Sequence, residues 1–390
     1  MIESPTTGPG VRRVVLWGTC DTGKPRVRIL IEGLRANGVE VVEIRADPWR
    51  GIEDKSQVKG IGRWLGLLAG VMLAYPKLAW RYVRAPAHDW VLLGYPAMPD
   101  IFVIRLLAWL RGAPIAMDWF LSAYDTIVLD RRLVSPRHPL AWLVYCVEWL
   151  AVRLADAPFM DTAAHARRME RLFGLAQGRC GRVWVGVEQG LFSRPGDPAN
   201  SPAARPGNAP VRVLFYGQFI PLHGIPTIIS AARLLRDAPV EWRLIGRGQD
   251  AGRIRAMLAA QPVPGMRWDD WVPYAGLLDA INGADICLGI FGSSDKAASV
   301  IPNKVFQVLA AGKPLLTRES PAMQELLGDG LVDVRLVPAA DAAALAAAIM
   351  AWQATPPPAD PRRARILESI RPAAVGSQLL GLLHRADGTK

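Results

Sequence analysis

The stretch Ser299-Val300-Ile301-Pro302-Asn303-Lys304-Val305-Phe306-Gln307, continuing Val308-Leu309-Ala310-Ala311-Gly312-Lys313-Pro314, decides how this chain is read. Pro302 marks the first turn of a helix, where a residue without an N–H is tolerated. Lys304 then lies near the positive end of the helix dipole, where a cation is ordinarily unfavourable. An anion bound at that terminus reverses the sign, and free amides at a helix N-terminus make a ready phosphate site. Residues 296–318 hold no Asp or Glu, while Lys296, Lys304, Lys313 and Arg318 are basic. The plain alternative is a solvated lysine that tolerates weak repulsion.

Outward from this helix, strand-like and helix-like segments alternate, which predicts an α/β chain with parallel sheets. Around it the sequence predicts strands near 211–216, 241–245, 286–290, 314–317 and 332–336. Helices are expected at 226–236, 251–259, 273–282, 302–311, 321–327 and 340–352, with a last one near 361–383. The first half repeats the alternation, with strands near 13–17, 40–44, 90–93, 114–117 and 183–185. Its helices fall near 27–36, 60–83, 100–110, 139–155 and 163–173. Between the halves stand Pro195, Pro198, Pro202, Pro206 and Pro210, interspersed with Gly and Asn. That composition reads as a linker. The expected domains are therefore 1–200, 201–360, and a C-terminal helical segment 361–390 that packs back on the first. Ligands of doubly wound sheets sit at the carboxyl ends of the strands, so a cleft between the halves is the expected active site.

Composition narrows the class. The chain has 390 residues, 51% hydrophobic and 21% charged, which excludes disorder and suits two domains. Its net charge is +11, which suits nucleic acid, anionic lipid or phosphorylated substrates. Residues 1–200 carry 26 Lys and Arg against 19 Asp and Glu, so the excess is not one nucleic-acid patch. Cys20, Cys146, Cys180 and Cys287 lie far apart, with neither metal-ligand nor disulfide-framework spacing. Residues 1–10 lack an apolar signal segment, and a cytoplasmic location is expected. The apolar run 64–75 is too short to span a bilayer. With 101–110 and 140–154 it reads either as buried helices or as a basic, Trp-bearing face on an anionic membrane.

Four segments, in order, carry a family resemblance. They are Phe215-Tyr216-Gly217-Gln218-Phe219-Ile220-Pro221-Leu222-His223-Gly224, Leu244-Ile245-Gly246-Arg247-Gly248, Trp271-Val272-Pro273-Tyr274, and the stretch quoted first. Together they resemble the donor domain of retaining, family 4 glycosyltransferases of the GT-B fold. The resemblance implies two Rossmann-like domains, a nucleotide-sugar donor on the second and a glycan or lipid-linked acceptor on the first. It implies donor contacts from Gly217, His223, Gly246, Arg247, Val272, Ile301, Asn303, Lys304 and Gln307, with Val272 facing the base through its backbone. Family members place two acids, separated by seven residues, where Ser299 and Gln307 stand. Gln307 can still reach a ribose; Ser299 would contact the transferred sugar. Gln218 and His223 replace an Arg and a Lys that often hold the diphosphate, which shifts that load to Lys304 and the helix amides. No metal and no cofactor is implied. Asp269-Asp270 is not the Asp-x-Asp of metal-dependent transferases.

In the first half, Asp118 ends an apolar strand where related enzymes often place a histidine. It is the expected catalytic partner of Ser299, with Gly18, Tyr124 and Asp125 on the acceptor side. The cluster Asp118, Asp125 and Asp130 reads equally as helix cap and surface charge. Asp161-Thr162 reads as a helix cap. Gly18-Thr19-Cys20-Asp21-Thr22-Gly23-Lys24 fits G-x-x-x-x-G-K, yet Pro25 follows where a P-loop needs Ser or Thr. The rival readings are a GT-B sugar-nucleotide epimerase or phosphorylase, a P-loop NTPase and a nucleic-acid-binding protein.

Overall fold

The computed structural model describes residues 10–48, 61–188 and 209–388, so most of the expected linker lies outside the described residues. The chain divides into two compact units. Unit 1 is Met1–Val185 with Arg371–Lys390, and unit 2 is Gly186–Ile370.

Unit 1 begins with β1 (Arg13–Gly18), α1 (Pro25–Ala36), β2 (Glu40–Arg45), α2 (Ile61–Val83), β3 (Trp90–Leu93) and α3 (Met98–Leu110). It continues through β4 (Ile115–Asp118), α4 (Pro139–Leu154), β5 (Ala157–Met160), α5 (Ala163–Phe173) and β6 (Gly181–Arg182). The strands form one sheet in the order β2-β1-β3-β4-β5-β6, every pair parallel. β3, β4 and β5 are buried throughout, as strands covered on both faces must be. β5 adds to the strands read from the sequence, and β6 falls at Gly181–Arg182 rather than at 183–185. A π-helical turn, Asp125–Asp130, follows β4 and has no sequence expectation.

Unit 2 runs β7 (Val211–Tyr216), α6 (Ile225–Leu234), β8 (Val240–Ile245), α7 (Ala251–Ala260), β9 (Met266–Asp269), α8 (Tyr274–Gly283) and β10 (Ile286–Leu288). Then come α9 (Asp295–Ser299), α10 (Asn303–Ala310), β11 (Leu315–Arg318), α11 (Pro321–Leu327), β12 (Val334–Val337), α12 (Ala342–Ala354) and α13 (Arg363–Ile370). The order β12-β11-β10-β7-β8-β9, all parallel, is that of a Rossmann sheet. Its core joins Phe215, Phe219 and Trp242 to Ile228, Leu345 and Ile349 on the helices.

The single helix expected at 361–383 is two. Pro372 forces Arg371 into extended backbone (φ −65°, ψ 153°) and separates α13 from α14 (Pro372–Asp387). α13 stays with unit 2, where Arg363 reaches the carbonyls of Leu309 and Lys313 and the Asp333 carboxylate. α14 packs on α1 of unit 1. A Cβ at Gly376 would lie 2.1 Å from the Gly33 carbonyl oxygen, so the two helices meet backbone to backbone.

Candidate functional site

In unit 2 the strand order reverses between β7 and β10, and the loops after those strands are tied together there. Phe291 N–H donates to the His223 carbonyl (3.0 Å) and Gly292 N–H to that of Leu222 (3.2 Å). The loop after β8 joins them through Gly246, which has φ +149°; a Cβ there would lie 1.9 Å from the Gly217 carbonyl oxygen. Gly217 itself has φ +137°. Its absent Cβ would meet Lys304 Nζ at 2.9 Å and His223 Cε1 at 3.2 Å. Two cationic or protonatable side chains thus converge on a bare stretch of backbone at the switch point.

Lys304 is the second residue of α10, whose N-cap, Pro302, supplies no side-chain bond to the first amides. The lysine is 4% exposed, and its Nζ meets no hydrogen-bond partner among the described residues. It lies 3.7 Å from the centre of the Phe215 ring and 5.9 Å from that of Tyr216. The ring face attracts the ammonium, yet burial still holds its pKa well below the usual 10.5. The other cations of the acid-free run have partners. Lys313 Nζ donates to Asn282 O (2.6 Å), and Arg318 Nη1 to Gly292 O. Lys296 is buried and also engaged.

Two of the remaining expected donor residues share contacts with Lys304, His223 across Gly217 and Gln307 through the Tyr216 hydroxyl. His223 is buried, and its Nδ1 must donate to the Gln218 carbonyl, because a carbonyl only accepts. That fixes the tautomer and leaves Nε2 as the variable nitrogen. Gln307 Oε1 accepts from the Tyr216 hydroxyl (3.0 Å), which also reaches Lys304 O (3.3 Å). Ile301 is buried under the turn before α10, and Asn303 is half-buried at its start. Ser299 is 6% exposed, and its hydroxyl donates to Asp295 O at 2.7 Å, closing its own short helix. Arg247 is exposed and Val272 half-buried. Asp269 is ion-paired with Arg243 (2.9 Å) and Arg267 (3.0 Å), and Asp270 with Arg255 (3.0 Å). Tyr216 and Phe215 are the site residues the sequence reading passed over as roles. Their signal was two aromatics directly before Gly217.

In unit 1 the expected residues Asp118, Asp125, Tyr124 and Gly18 are engaged in internal contacts. Asp118 is not an open strand-end carboxylate. It is 1% exposed, and both its oxygens accept from Arg26 Nε at 2.8 Å. Burial pushes its carboxyl up in pKa, and Arg26 opposes the shift. Asp125 is fully buried and ion-paired with Arg168 (2.7 Å). Tyr124 packs edge-on against Tyr145 and Phe173. Gly18 has φ +115°, and a Cβ on it would overlap the Asp100 carboxylate at 2.0 Å. That carboxylate accepts from Thr19 N and Oγ1 and from Tyr75 Oη (2.8, 2.9 and 3.0 Å). Thr162 does cap α5, accepting from His165 N–H at 2.9 Å. Asp161 instead accepts from His165 Nδ1 (2.7 Å). Apolar neighbours of Arg26 and His165 in sequence gave no hint of either polar contact.

Residues 210–354 match the family model of glycosyl transferases group 1. No curated protein sequence matches the chain. Among solved structures it is similar to sucrose-phosphate synthase from Thermosynechococcus elongatus, at 18% identity and TM-score 0.68, over 97% of this chain and 100% of that one. It is similar to Anabaena HepE in complex with UDP, at 13% identity and TM-score 0.64, over 96% and 100%. The UDP-forming α,α-trehalose-phosphate synthase from Burkholderia vietnamiensis aligns at 14% identity and TM-score 0.62, over 96% and 97%. These likenesses are of fold, and the fold is GT-B.

Proposed function

We propose, for a chain whose residues 210–354 match the model of glycosyl transferases group 1, that it is a glycosyltransferase whose sugar comes from a nucleoside-diphosphate donor held at the β7/β10 switch point. The observation that carries this is Lys304: a buried lysine without a counter-charge, beside the N-terminus of α10 and the open backbone of Gly217. A diphosphate there meets the ammonium and the first amides of α10, which together neutralise the charge that develops as the sugar–phosphate bond breaks. His223 Nε2, on the same side of Gly217, is the second donor to a phosphate oxygen once protonated. The Gln307 amide serves the ribose.

The reaction proceeds with retention, and the acceptor is a glycan or lipid-linked sugar recognised by unit 1. With Ser299 and Asp118 both spent on internal contacts, the departing phosphate itself receives the acceptor proton. UDP is the first nucleotide to test, because a HepE structure of this fold holds it. The test is a thermal-shift panel of UDP-, GDP-, ADP- and TDP-sugars, followed by product stereochemistry on the best donor. A nucleotide that binds raises the transition by mass action. The same panel on Lys304→Ala should show no shift; an undiminished shift removes the phosphate role. Sugar phosphate formed from a glycan and added inorganic phosphate, with no need of a nucleotide sugar, would favour a phosphorylase.

A further inference from the structure

Three successive helices of unit 1 present apolar side chains to solvent. On α2, Leu68, Met72, Leu73 and Trp80 are exposed, while Val71, Tyr75, Leu78 and Tyr82 are buried in the core. On α3, Phe102, Leu106, Trp109 and Leu110 repeat at helical spacing, opposite buried Ile101, Ile104 and Ala108. On α4, Trp142, Leu143, Trp149 and Leu150 are exposed. α3 packs against both α2 and α4. The crossovers β2-to-β3, β3-to-β4 and β4-to-β5 all progress in one direction across the sheet. Right-handed connections therefore lay the three helices on the same side of it. Their outer stripes form one face where a globular helix carries polar residues. A patch of that extent marks an interaction surface.

Charge selects the partner. Residues 61–154 hold ten Lys and Arg and six acids. Asp100, Asp118, Asp125, Asp130 and Glu148 are buried. The sixth, Asp89, accepts from the N–H groups of Arg12 and Arg13 just before β3. Lys77, Arg81, Arg84, Arg132 and Arg137 remain exposed. Each of the three helices returns from a strand's carboxyl end to the next strand's amino end. Trp80, Trp109 and Trp149, near the helix C-termini, therefore share one rim. Arg84 lies over the Trp80 ring (3.1 Å) and Arg153 over that of Trp149 (3.8 Å) on the same rim. Tryptophan and arginine bordering an apolar band is the composition of a bilayer interface. A second copy of the chain would set cation against cation across the same patch.

We propose that the α2–α3–α4 face docks on an anionic lipid bilayer. Its Trp and Leu side chains enter the headgroup boundary, and the surrounding Lys and Arg meet lipid phosphates. Among the described residues no helix is long and apolar enough to cross a membrane. The proposal stands independently of the transferase reading, since it uses none of the unit 2 site.

The test is co-sedimentation of the full chain with vesicles of phosphatidylglycerol mixed into phosphatidylcholine, and with phosphatidylcholine alone. The protein should partition onto the mixed vesicles and be released by high salt. Trp80→Ser/Trp109→Ser/Trp142→Ser should lower partitioning about tenfold or more through lost apolar insertion. Lys77→Glu/Arg137→Glu should lower it by at least about fivefold per lost cation. Those side chains are exposed, so circular dichroism should be unchanged. Wild-type protein left in the supernatant with mixed vesicles overturns the proposal, as do variants that partition like wild type. A wild-type dimer that the tryptophan variant converts to monomer, with vesicle binding absent throughout, would overturn it in favour of a second copy. UDP binding is measured on the same samples, so failure of the donor reading registers separately.

Discussion

Both units bury a cation near their sheets, and they treat it in opposite ways. In unit 1 Arg26 of α1 is 1% exposed and holds both oxygens of Asp118. In unit 2 Lys304 of α10 is 4% exposed and holds nothing among the described residues. An internal ion pair completes its own electrostatics and belongs to the fold. A lysine buried without a counter-charge costs the fold stability, a cost eased by releasing its proton or by an incoming anion. The choice of side chain fits the division. Arginine stays charged and forms bidentate pairs, whereas a buried lysine readily shifts its pKa.

The comparison breaks first at the ion pair. Asp118→Asn leaves Arg26 buried beside a neutral amide and should destabilise unit 1 by ~3–5 kcal/mol. The double variant Arg26→Met/Asp118→Leu should recover most of that loss in denaturant titration. A stable Asp118→Asn with slow turnover would return Asp118 to catalysis.

At the lysine the effects fall on the reaction instead. Lys304→Ala should lower turnover by about 10²–10³, as expected for removing a group that stabilises developing charge. Lys304→Met should meanwhile raise the transition of the unliganded protein by ~1–3 kcal/mol, the cost of an unmet buried polar group. A variant that loses both activity and stability would mean that the lysine serves the fold.

Opposite pH slopes sharpen the contrast. Burial pushes the Asp100 and Glu148 carboxyls up to about 7. Folded unit 1 therefore binds more protons than the unfolded chain between the usual carboxyl range and 7, and these groups lower its stability as pH rises through that window. Lys304 acts with the other sign. Its folded pKa is below 10.5, so its contribution to unit 2 stability improves as pH rises toward 10.5. Asp100→Asn should flatten the first slope and Lys304→Met the second, each read from melting curves across pH. The smallest effect is expected at Gln307: Gln307→Ala should weaken UDP binding by about tenfold or less, the scale of one hydrogen bond, and Gln307→Glu should be tolerated.

Strand alternation, the Pro302 helix start and the acid-free run made the unit 2 fold and the place of Lys304 at the start of α10 legible from sequence. Local chemistry there coincides with tertiary role, since a helix N-terminus and its glycine loops announce themselves. Less was legible where a residue's surroundings depend on a distant partner. Asp118 reads as a strand-end acid until Arg26, 92 positions away, is placed against it. Asp125 has the same history with Arg168 on α5. Ser299 looks available until its hydroxyl closes α9. β5 carries Pro158 and β9 carries Arg267 and Asp269, so neither shows the unbroken apolar run of β3. The outward-facing stripes of α2, α3 and α4 match buried helices in composition, and only exposure separates the two.

The most direct test of the central claim is proton uptake on UDP binding, measured by calorimetric titration in two buffers of different ionisation enthalpy. The pH should be well above 6, where a terminal phosphate is fully ionised, and below 10.5. Burial lowers the Lys304 pKa and a diphosphate beside it raises it, so wild-type protein should take up protons on binding UDP within that range. Lys304→Met should take up fewer protons than wild type and bind at least about tenfold more weakly. Wild-type binding without proton uptake, matched in affinity by Lys304→Met, would contradict the account.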